Sequence, residues 1–445
     1  MILLIIIICT LVFTTLGRLL FGRWFNHLTM YAGIWGMMLA LFELKLIDYY
    51  DLSYETWIVI IDGFSAFFFG SVTMLIMKKL YRLEPSTASD WDYLGMRERQ
   101  VRSIRFVLWL LSIVSFLAVA QHWYILLKMF GSFKNVIVMG NILYSVVRSS
   151  GELKGGIPYF DAFALSGTLF GGIYTALRGK VSLLAIAPIL IVVSQAVSGM
   201  GRAALLVALI LFLSGYFLAV PRNAHIAHAA KDKFKIAIGL GIGLSILVAG
   251  AEFVRANRHV QENINGASES LNRLSGSSVI TPTIYLYLSG HPGVLNQYLK
   301  TGEEKGLWGG NTFSPIYRIL AKFGADTYVS DYESAYRIPV RINTGTYLRE
   351  LHADFGDLGV LLVPYVLGLF CSFLWFRYEQ RRSMMSLALL AHLYIIVGAS
   401  FFLQATRWGY WLVSLLGAIA SAIIIDRRKT LRRVVQYDEL NIIIT

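Results

Sequence analysis

The feature that most constrains the fold is a series of apolar runs, each about long enough to cross a lipid bilayer. A transmembrane helix needs roughly 20 mostly apolar residues. We count eleven such runs, near residues 1–16, 28–47, 57–77, 106–127, 157–177, 181–198, 203–220, 236–254, 356–376, 384–402 and 409–425. The sequence therefore predicts an all-α, multi-pass membrane protein with about eleven transmembrane helices.

Composition supports the same class of protein. Of the 445 residues, 56% are hydrophobic and only 15% are charged, which is too apolar for a soluble globule of this length. The two cysteines, Cys9 and Cys371, both lie inside apolar runs, so no structural disulfide is expected. The basic residues Arg18 and Arg23 follow the first run and do not precede it, which predicts a retained anchor with its N-terminus outside.

The charge of the connecting segments predicts the orientation in the membrane. Cytoplasmic connections are rich in Lys and Arg, and the basic connections alternate with acidic or long ones along the chain. The basic set comprises residues 78–105, 178–180, 221–235, 377–382 and 426–433, and the other set comprises 43–55, 128–156 and 255–355. We expect the second set outside and the C-terminus in the cytoplasm. Most of the net charge of +13 is then explained by topology, and no nucleic-acid partner is expected.

This threading divides the chain into four parts. Residues 1–254 form helices 1–8 with short loops, 255–355 form a large extracytoplasmic loop, 356–425 form helices 9–11, and 426–445 form a cytoplasmic tail. Within the large loop, apolar residues at three- and four-residue spacing, interrupted by Gly and Pro, predict short amphipathic helices. Aromatic side chains such as Trp308 and Tyr336 either stack on sugar rings or pack the loop onto the bundle.

Arginines on the outer side lie next to the ends of the apolar runs. One interpretation is that each anchors a helix end in the lipid headgroups. The other is a shared anionic ligand, because the planar guanidinium binds phosphate groups with paired, charge-assisted hydrogen bonds. We favour the shared ligand because the pattern recurs at five places. These arginines are Arg202, Arg255, Arg258, Arg337, Arg341, Arg349 and Arg407.

A histidine and two carboxylates stand beside the last of the loop arginines, in the stretch RELHADF. Transfer of a sugar from a diphosphate needs a general base, and His352 with its neighbours Glu350 and Asp354 offers candidates. A helix over this stretch would place His352 on the same face as Arg349. The alternative is that His352 is an interfacial residue and Glu350 a solvated charge.

The approach to this helix carries two further expectations. Pro339 disfavours a helix before it, so we expect an extended strip that presents Arg337 and Arg341 on one face. The helix should then begin with Asn343 or Thr344 as its cap.

Three stretches resemble the bacterial O-antigen polymerase family, whose members include the oligosaccharide repeat unit polymerases. They are SGMGRAALL after a helix break, GLWGGNTFSPIYRILAKFG in the large loop, and NTGTYLRELHADFGDLGVLL leading into a helix. The resemblance implies a glycosyltransferase that joins lipid diphosphate-linked repeat units into a surface polysaccharide, without a metal. The related ligases usually carry a His-Asn pair where Gly345 and Thr346 stand here, which favours a polymerase.

The resemblance also implies the surroundings and the partners. The expected location is the bacterial inner membrane, and the expected partners are undecaprenyl diphosphate-linked oligosaccharide, membrane lipids and a chain-length regulator protein. No cofactor is expected. The alternatives are ligase-type transfer to a lipid acceptor and a non-enzymatic flippase. The residues proposed for catalysis are His352, Arg341, Arg202 and Arg255, and those proposed for substrate binding are Arg258, Arg337, Arg349, Arg407, Glu350 and Asp354.

Overall fold

The protein is mostly helical in the computed structural model, which describes residues 1–80, 90–139, 159–199, 203–220, 266–269, 271–272, 282–302, 307–327, 329 and 334–444. The first helices are α1 Ile2–Phe21, α2 His27–Glu43, α3 Tyr54–Leu80, α4 Asp90–Phe130 and α5 Phe133–Val138. A 3₁₀ turn at Phe160–Ala162 precedes α6 Phe163–Arg178, α7 Leu183–Ser198 and α8 Ala203–Ala219.

The remaining elements lie within the predicted large loop and after it. Its helices are α9 Pro282–Ser289, α10 His291–Thr301 and α11 Ser314–Lys322, followed by the strands β1 Tyr336–Arg337 and β2 Arg341–Ile342. Helix α12 covers Tyr347–Phe355 and α13 covers Asp357–Arg381. The chain ends with α14 Met384–Ala399, a 3₁₀ turn at Ala405–Arg407 and α15 Gly409–Ile444.

Five helical segments among the described residues are long and apolar enough to cross a membrane. They are α1, α3, Gln100–Phe130 of α4, α13 and Gly409–Asp426 of α15. Helices α7, α8 and α14 are apolar but shorter. Ten of the eleven predicted runs fall on helices, and the run 236–254 lies outside the described residues. The chain is therefore a helical membrane protein.

The chain forms two compact units. The first comprises Met1–Leu83, Val260–Phe373 and Leu393–Gly409, and the second comprises Glu84–His259, Leu374–His392 and Tyr410–Thr445.

Close helix packing in the first unit depends on glycine. A Cβ placed on Gly70 of α3 would lie 1.9 Å from the carbonyl oxygen of Tyr365, and one on Gly368 of α13 would lie 2.2 Å from that of Phe67. Both distances are far below van der Waals contact, so only glycine lets these two backbones approach. Small residues serve this purpose widely in membrane helices, where packing and not the hydrophobic effect holds helices together.

Aromatic residues anchor the start of α12 in the helices of the first unit. The hydroxyls of Tyr31 and Tyr347 are 2.8 Å apart, and both rings are buried. The Tyr347 backbone N–H donates to the Ser400 carbonyl over 2.9 Å, and the Trp35 indole donates to the Ser400 hydroxyl over 2.9 Å. The first residue of α12 is thus fixed by buried hydrogen bonds.

The approach to α12 differs from the predicted extended strip. Strands β1 and β2 form an antiparallel hairpin in which Arg337 and Arg341 are paired across the strands. The Ile338 N–H donates to the Val340 carbonyl over 2.9 Å, so the chain reverses direction at Pro339. Residues paired across an antiparallel ladder point to the same face. The two arginines share a face, but the hairpin and not a strip brings them together.

The predicted cap of α12 was wrong. Thr346 occupies the N-cap position with an extended backbone, and no side chain caps the helix. The Tyr347 N–H is satisfied by the Ser400 carbonyl, and the Arg349 N–H donates to the Thr346 carbonyl over 3.1 Å. The helix therefore begins where tertiary contact satisfies its first amide, and neither Asn343 nor Thr344 is needed as a cap.

Candidate functional site

Helix α12 carries all the polar side chains that the stretch RELHADF offers. The prediction of a helix here is confirmed. Its apolar residues Leu348 and Leu351 are buried. The polar residues do not share one environment, and the differences between them define what the site can do.

Arg349 and Glu350 form a buried pair. Each side chain is 1% exposed, and the Arg349 Nη2 atom lies 3.4 Å from the Glu350 Oε1 atom. The Arg349 Nη1 group also donates to the Ser334 carbonyl over 3.2 Å, and the guanidinium lies 6.0 Å from the centre of the Tyr336 ring. The two charges compensate each other inside the unit. This arrangement is suited to a structural role, in which Arg349 holds the hairpin against α12.

Asp354 binds the segment that precedes α11. Its Oδ1 atom accepts from the backbone N–H and the side-chain amide of Asn311, both over 2.9 Å. Its Oδ2 atom accepts from the backbone N–H and the hydroxyl of Thr312, both over 2.7 Å. Arg407 reaches the same place, because its Nη1 group donates to the Asn311 side-chain oxygen over 2.7 Å. Asp354 and Arg407 are therefore brought together through Asn311.

His352 is the polar residue of α12 that remains accessible, with a side chain 27% exposed. Its Nδ1 atom lies 2.9 Å from the hydroxyl of Tyr298 on α10. Its Nε2 atom lies 3.4 Å from the carboxylate of Asp357, whose side chain is 89% exposed. Tyr298 itself is buried. The ring is thus held from one side by a fixed hydroxyl and faces a movable carboxylate on the other.

The hairpin arginines are exposed, and the hairpin packs through Tyr336 beside Tyr298, the partner of His352. The Tyr336 ring lies 6.3 Å from the Tyr298 ring, edge to face, and the next side chain of β1, Arg337, points to the opposite, exposed face. The Arg337 Nε group donates to the Pro339 carbonyl over 3.2 Å, and Arg341 is exposed on β2. Unlike Arg349, these guanidinium groups can meet a ligand from solvent.

A single glycine joins α12 to the membrane helix α13. Gly356 has φ 64° and ψ −154°, a conformation that is accessible essentially to glycine alone. A Cβ placed there would meet no atom within 4 Å, so backbone conformation and not crowding selects glycine. His352 is therefore attached to the start of α13 through a defined bend.

His291 fixes the segment that enters α12. The imidazole is buried, and its two nitrogens lie 3.1 Å from the Thr344 carbonyl and 2.6 Å from the Tyr287 carbonyl. Burial lowers the pKa of His291 to about 4, although the two carbonyl groups oppose the shift in part. A neutral ring donates a hydrogen bond to one of these carbonyls.

The second unit contains a polar cluster of its own. The Asp161 Oδ2 atom accepts from the Gln195 side-chain amide over 2.6 Å and from the Tyr410 hydroxyl over 2.9 Å. These residues come from the 3₁₀ turn before α6, from α7 and from the start of α15.

Three of the predicted site residues, Arg202, Arg255 and Arg258, lie outside the described residues. Within the described part of the chain, no group of three His, Cys, Asp or Glu side chains is close enough together to hold a metal ion.

Two residues beside His352 were not predicted. Tyr298 lies 54 positions earlier on a short amphipathic helix, and nothing local in its sequence points to the histidine. Asp357 lies only five positions after His352, so the spacing of acidic residues in HADFGD was an available signal.

A scan against protein-family models finds no match, and searches of curated proteins and of solved structures find none either.

Proposed function

We propose that this protein is a glycosyltransferase that joins lipid diphosphate-linked oligosaccharide units into a polysaccharide at the membrane surface. One observation carries the proposal. An accessible histidine, His352, is held between Tyr298 and Asp357 beside a hairpin with two exposed arginines, and a membrane-spanning helix begins five residues later. A lipid-anchored sugar diphosphate needs a base, cations and membrane proximity together.

The reaction class sets what these groups must do. The hydroxyl oxygen of the acceptor sugar forms a bond with the anomeric carbon of the donor, and the bond from that carbon to the diphosphate oxygen breaks. The electron pair leaves with the diphosphate, and the hydroxyl proton passes to a base. Charge therefore grows on the leaving group, where guanidinium groups stabilise the transition state.

His352 is the proposed base. In one tautomer the Nδ1–H group donates to the Tyr298 hydroxyl, which orients the ring and leaves Nε2 to accept a proton from the acceptor sugar. The Asp357 carboxylate can then accept a hydrogen bond from the new Nε2–H group and stabilise the imidazolium. Because Asp357 is exposed, it can also swing aside to admit the sugar.

The arginines divide into two proposed roles. We assign diphosphate contact to Arg337 and Arg341, because both are exposed on one face of the hairpin. We assign positioning roles to Arg349, Glu350, Asp354 and Arg407, because each is bound to other parts of the protein.

The proposed function also requires a particular orientation in the membrane. The charge pattern of the connections supports a site on the outer face of a bacterial inner membrane, with the C-terminal tail in the cytoplasm. A cysteine introduced at Lys300 should react with an impermeant reagent in intact cells, and a cysteine in residues 426–445 should not. The reverse pattern would place the site on the wrong side for surface polymer assembly.

The direct test uses the purified full-length protein in detergent, with undecaprenyl diphosphate-linked oligosaccharide as the only glycan. We expect a ladder of products one repeat unit apart, and the same ladder in excess chelator. His352→Ala should bind the substrate and form no ladder. If the wild-type protein forms no ladder, or if the histidine variant forms one at the normal rate, the proposal is wrong.

A flippase is the second candidate, and the polar cluster around Asp161 favours it. A carboxylate bound by Gln195 and Tyr410 inside an apolar unit is the kind of group that transporters use. Proteoliposomes loaded with lipid-linked oligosaccharide separate the two candidates. A flippase makes the glycan accessible from the other side without changing its length.

A further inference from the structure

Helix α11 has an exposed apolar stripe. Its members Ile316, Ile319 and Leu320, with Phe323 just after the helix, recur at intervals of three and four residues and so lie on one face. All four are exposed, and Phe323 is 85% exposed. The stripe is larger than the scattered apolar residues that any protein surface carries.

The opposite face of α11 is polar, and its first half is turned toward the protein while Ala321 in the last turn is exposed. Ser314 is buried, and Arg318 is half-buried. The Tyr317 hydroxyl donates to the Trp308 carbonyl over 2.7 Å. A helix on the surface of a water-soluble domain has the reverse arrangement, with its apolar face inward. The inverted pattern indicates that the surroundings of α11 are themselves apolar.

The start of α11 is held beside the start of a membrane-spanning helix. The rings of Trp308 and Phe313 pack on Phe355, with centroids 4.8 and 6.4 Å from it, and Phe355 precedes α13 by two residues. The four hydrogen bonds of Asp354 fix the same segment. Leu358, Leu361 and Leu362 in the first turns of α13 are also exposed. The start of α11 thus lies beside the residues that lead into α13.

We propose that α11 is an interfacial membrane helix, embedded in the lipid leaflet at which α13 begins, with its stripe toward the acyl chains. Amphipathic helices of this kind lie in the membrane plane with their apolar side at the boundary of headgroups and acyl chains. Two flanking residues fit that depth. Trp308 is 71% exposed and amphipathic, and the exposed ammonium of Lys322 can reach the headgroups.

The proposed partner is therefore the bilayer itself and not another protein. The inference does not depend on the proposed enzyme activity, because it concerns only where one helix lies. For the candidate site it has one consequence. Lipid contact at α11 and the Asp354 hydrogen bonds together hold residues 308–313 between the membrane and α12.

The test measures the depth of single labelled positions in vesicles of phosphatidylethanolamine and phosphatidylglycerol. The full-length protein without Cys9 and Cys371 receives one cysteine at a time and a small fluorophore. Ile319→Cys and Phe323→Cys report on the stripe, and Ala321→Cys is the matched control, exposed but on the other side of the helix. Two quenchers are compared: iodide in water, and lipid with a nitroxide on its acyl chain.

We expect the lipid quencher to act several-fold more strongly than iodide at positions 319 and 323, and the order to reverse at 321. Equal iodide access at all three positions would overturn the proposal. Protection from both quenchers at 319 and 323 would also overturn it, because a protein would then cover the stripe. Each exposed side chain can be replaced without disturbing a core, and Ile316→Cys substitutes for any variant that is produced poorly.

Discussion

The hairpin at residues 336–342 and the first turns of α12 both carry arginine, and they use it in opposite ways. Arg337 and Arg341 are exposed on one face of the hairpin, whereas Arg349 is buried against the carboxylate of Glu350. A buried charge without its partner is costly, and an exposed charge costs little. Burial, and not residue type, separates arginines that can bind a ligand from arginines that hold the protein together.

The largest expected effect breaks the buried pair. Glu350→Gln leaves Arg349 buried without its carboxylate, which should lower the free energy of unfolding by about 3–5 kcal/mol. Unfolding of the detergent-purified protein, followed by heat or denaturant, measures the change. The exposed Glu55 of α3 provides the control, and Glu55→Gln should leave stability unchanged. A double variant, Arg349→Met with Glu350→Gln, should recover much of the loss, because it removes both charges of this contact.

The next effect concerns His352, at the border between the two regions. His352→Ala should reduce the transfer rate by roughly 10²–10⁴-fold, the usual contribution of a general base. Unfolding should change little, since the ring is partly exposed. Tyr298→Phe keeps the packing but removes the hydroxyl, so it should lower kcat less severely and leave KM unchanged. If His352→Ala lowered the free energy of unfolding and left the transfer rate unchanged, His352 would have a structural role like that of the buried Arg349.

Substitution of an exposed hairpin arginine should lower the transfer rate and leave the free energy of unfolding unchanged. Arg341→Ala should slow transfer about a hundredfold or more, as removal of one transition-state contact typically does. Arg341→Lys should not restore the rate, because an ammonium group cannot make the paired contact of a guanidinium. Lys300→Ala removes another exposed cation and should be neutral in both assays. If a variant of Arg341 unfolded as readily as Glu350→Gln, the distinction between exposed ligand-binding arginines and buried structural arginines would be wrong.

The effect that is smallest for one step of change, about 1.4 kcal/mol per pH unit, is a pH dependence of the buried region. The pKa of His291 is lowered from 6.5 to about 4, so the unfolded chain binds a proton there that the folded protein resists. Stability contributed by the neutral ring should be complete above pH 6.5 and should fall by roughly 1.4 kcal/mol per pH unit below it, down to about pH 4. His291→Gln should flatten this slope. An unchanged slope would mean that the ring is already charged in the folded protein.

Much of the helical fold follows from the sequence because length and apolarity are local properties. The ten apolar runs on described residues coincide with helices, and the helix over RELHADF was also predicted. Contacts between distant segments could not be read in the same way. The partner of His352 is Tyr298, and the amide that starts α12 is satisfied by Ser400, and neither relation has a spacing that marks it.

The burial of charge was equally hidden. Arg349 was predicted to bind the substrate, and Glu350 was read as a candidate base or a solvated charge, yet both are buried, and the Arg349 guanidinium packs against Ser334 and Tyr336. Asp354 reads as a possible base, yet its oxygens accept four hydrogen bonds from Asn311 and Thr312. The hairpin at Pro339 was missed for a simpler reason, since proline excludes a helix without choosing between an extended strip and a turn.

Gly356 is the single residue between α12 and α13, so it keeps His352 close to the start of α13. Five positions separate His352 from Asp357, the first residue of α13, and three of those steps are helical, so the Cα atoms of the two residues lie within about 12 Å of each other. So short a connection limits how far His352 can lie from the start of α13. For the proposed glycosyltransferase, this short connection would place the sugar next to the lipid diphosphate within reach of His352 and leave the far end of a long glycan out of reach.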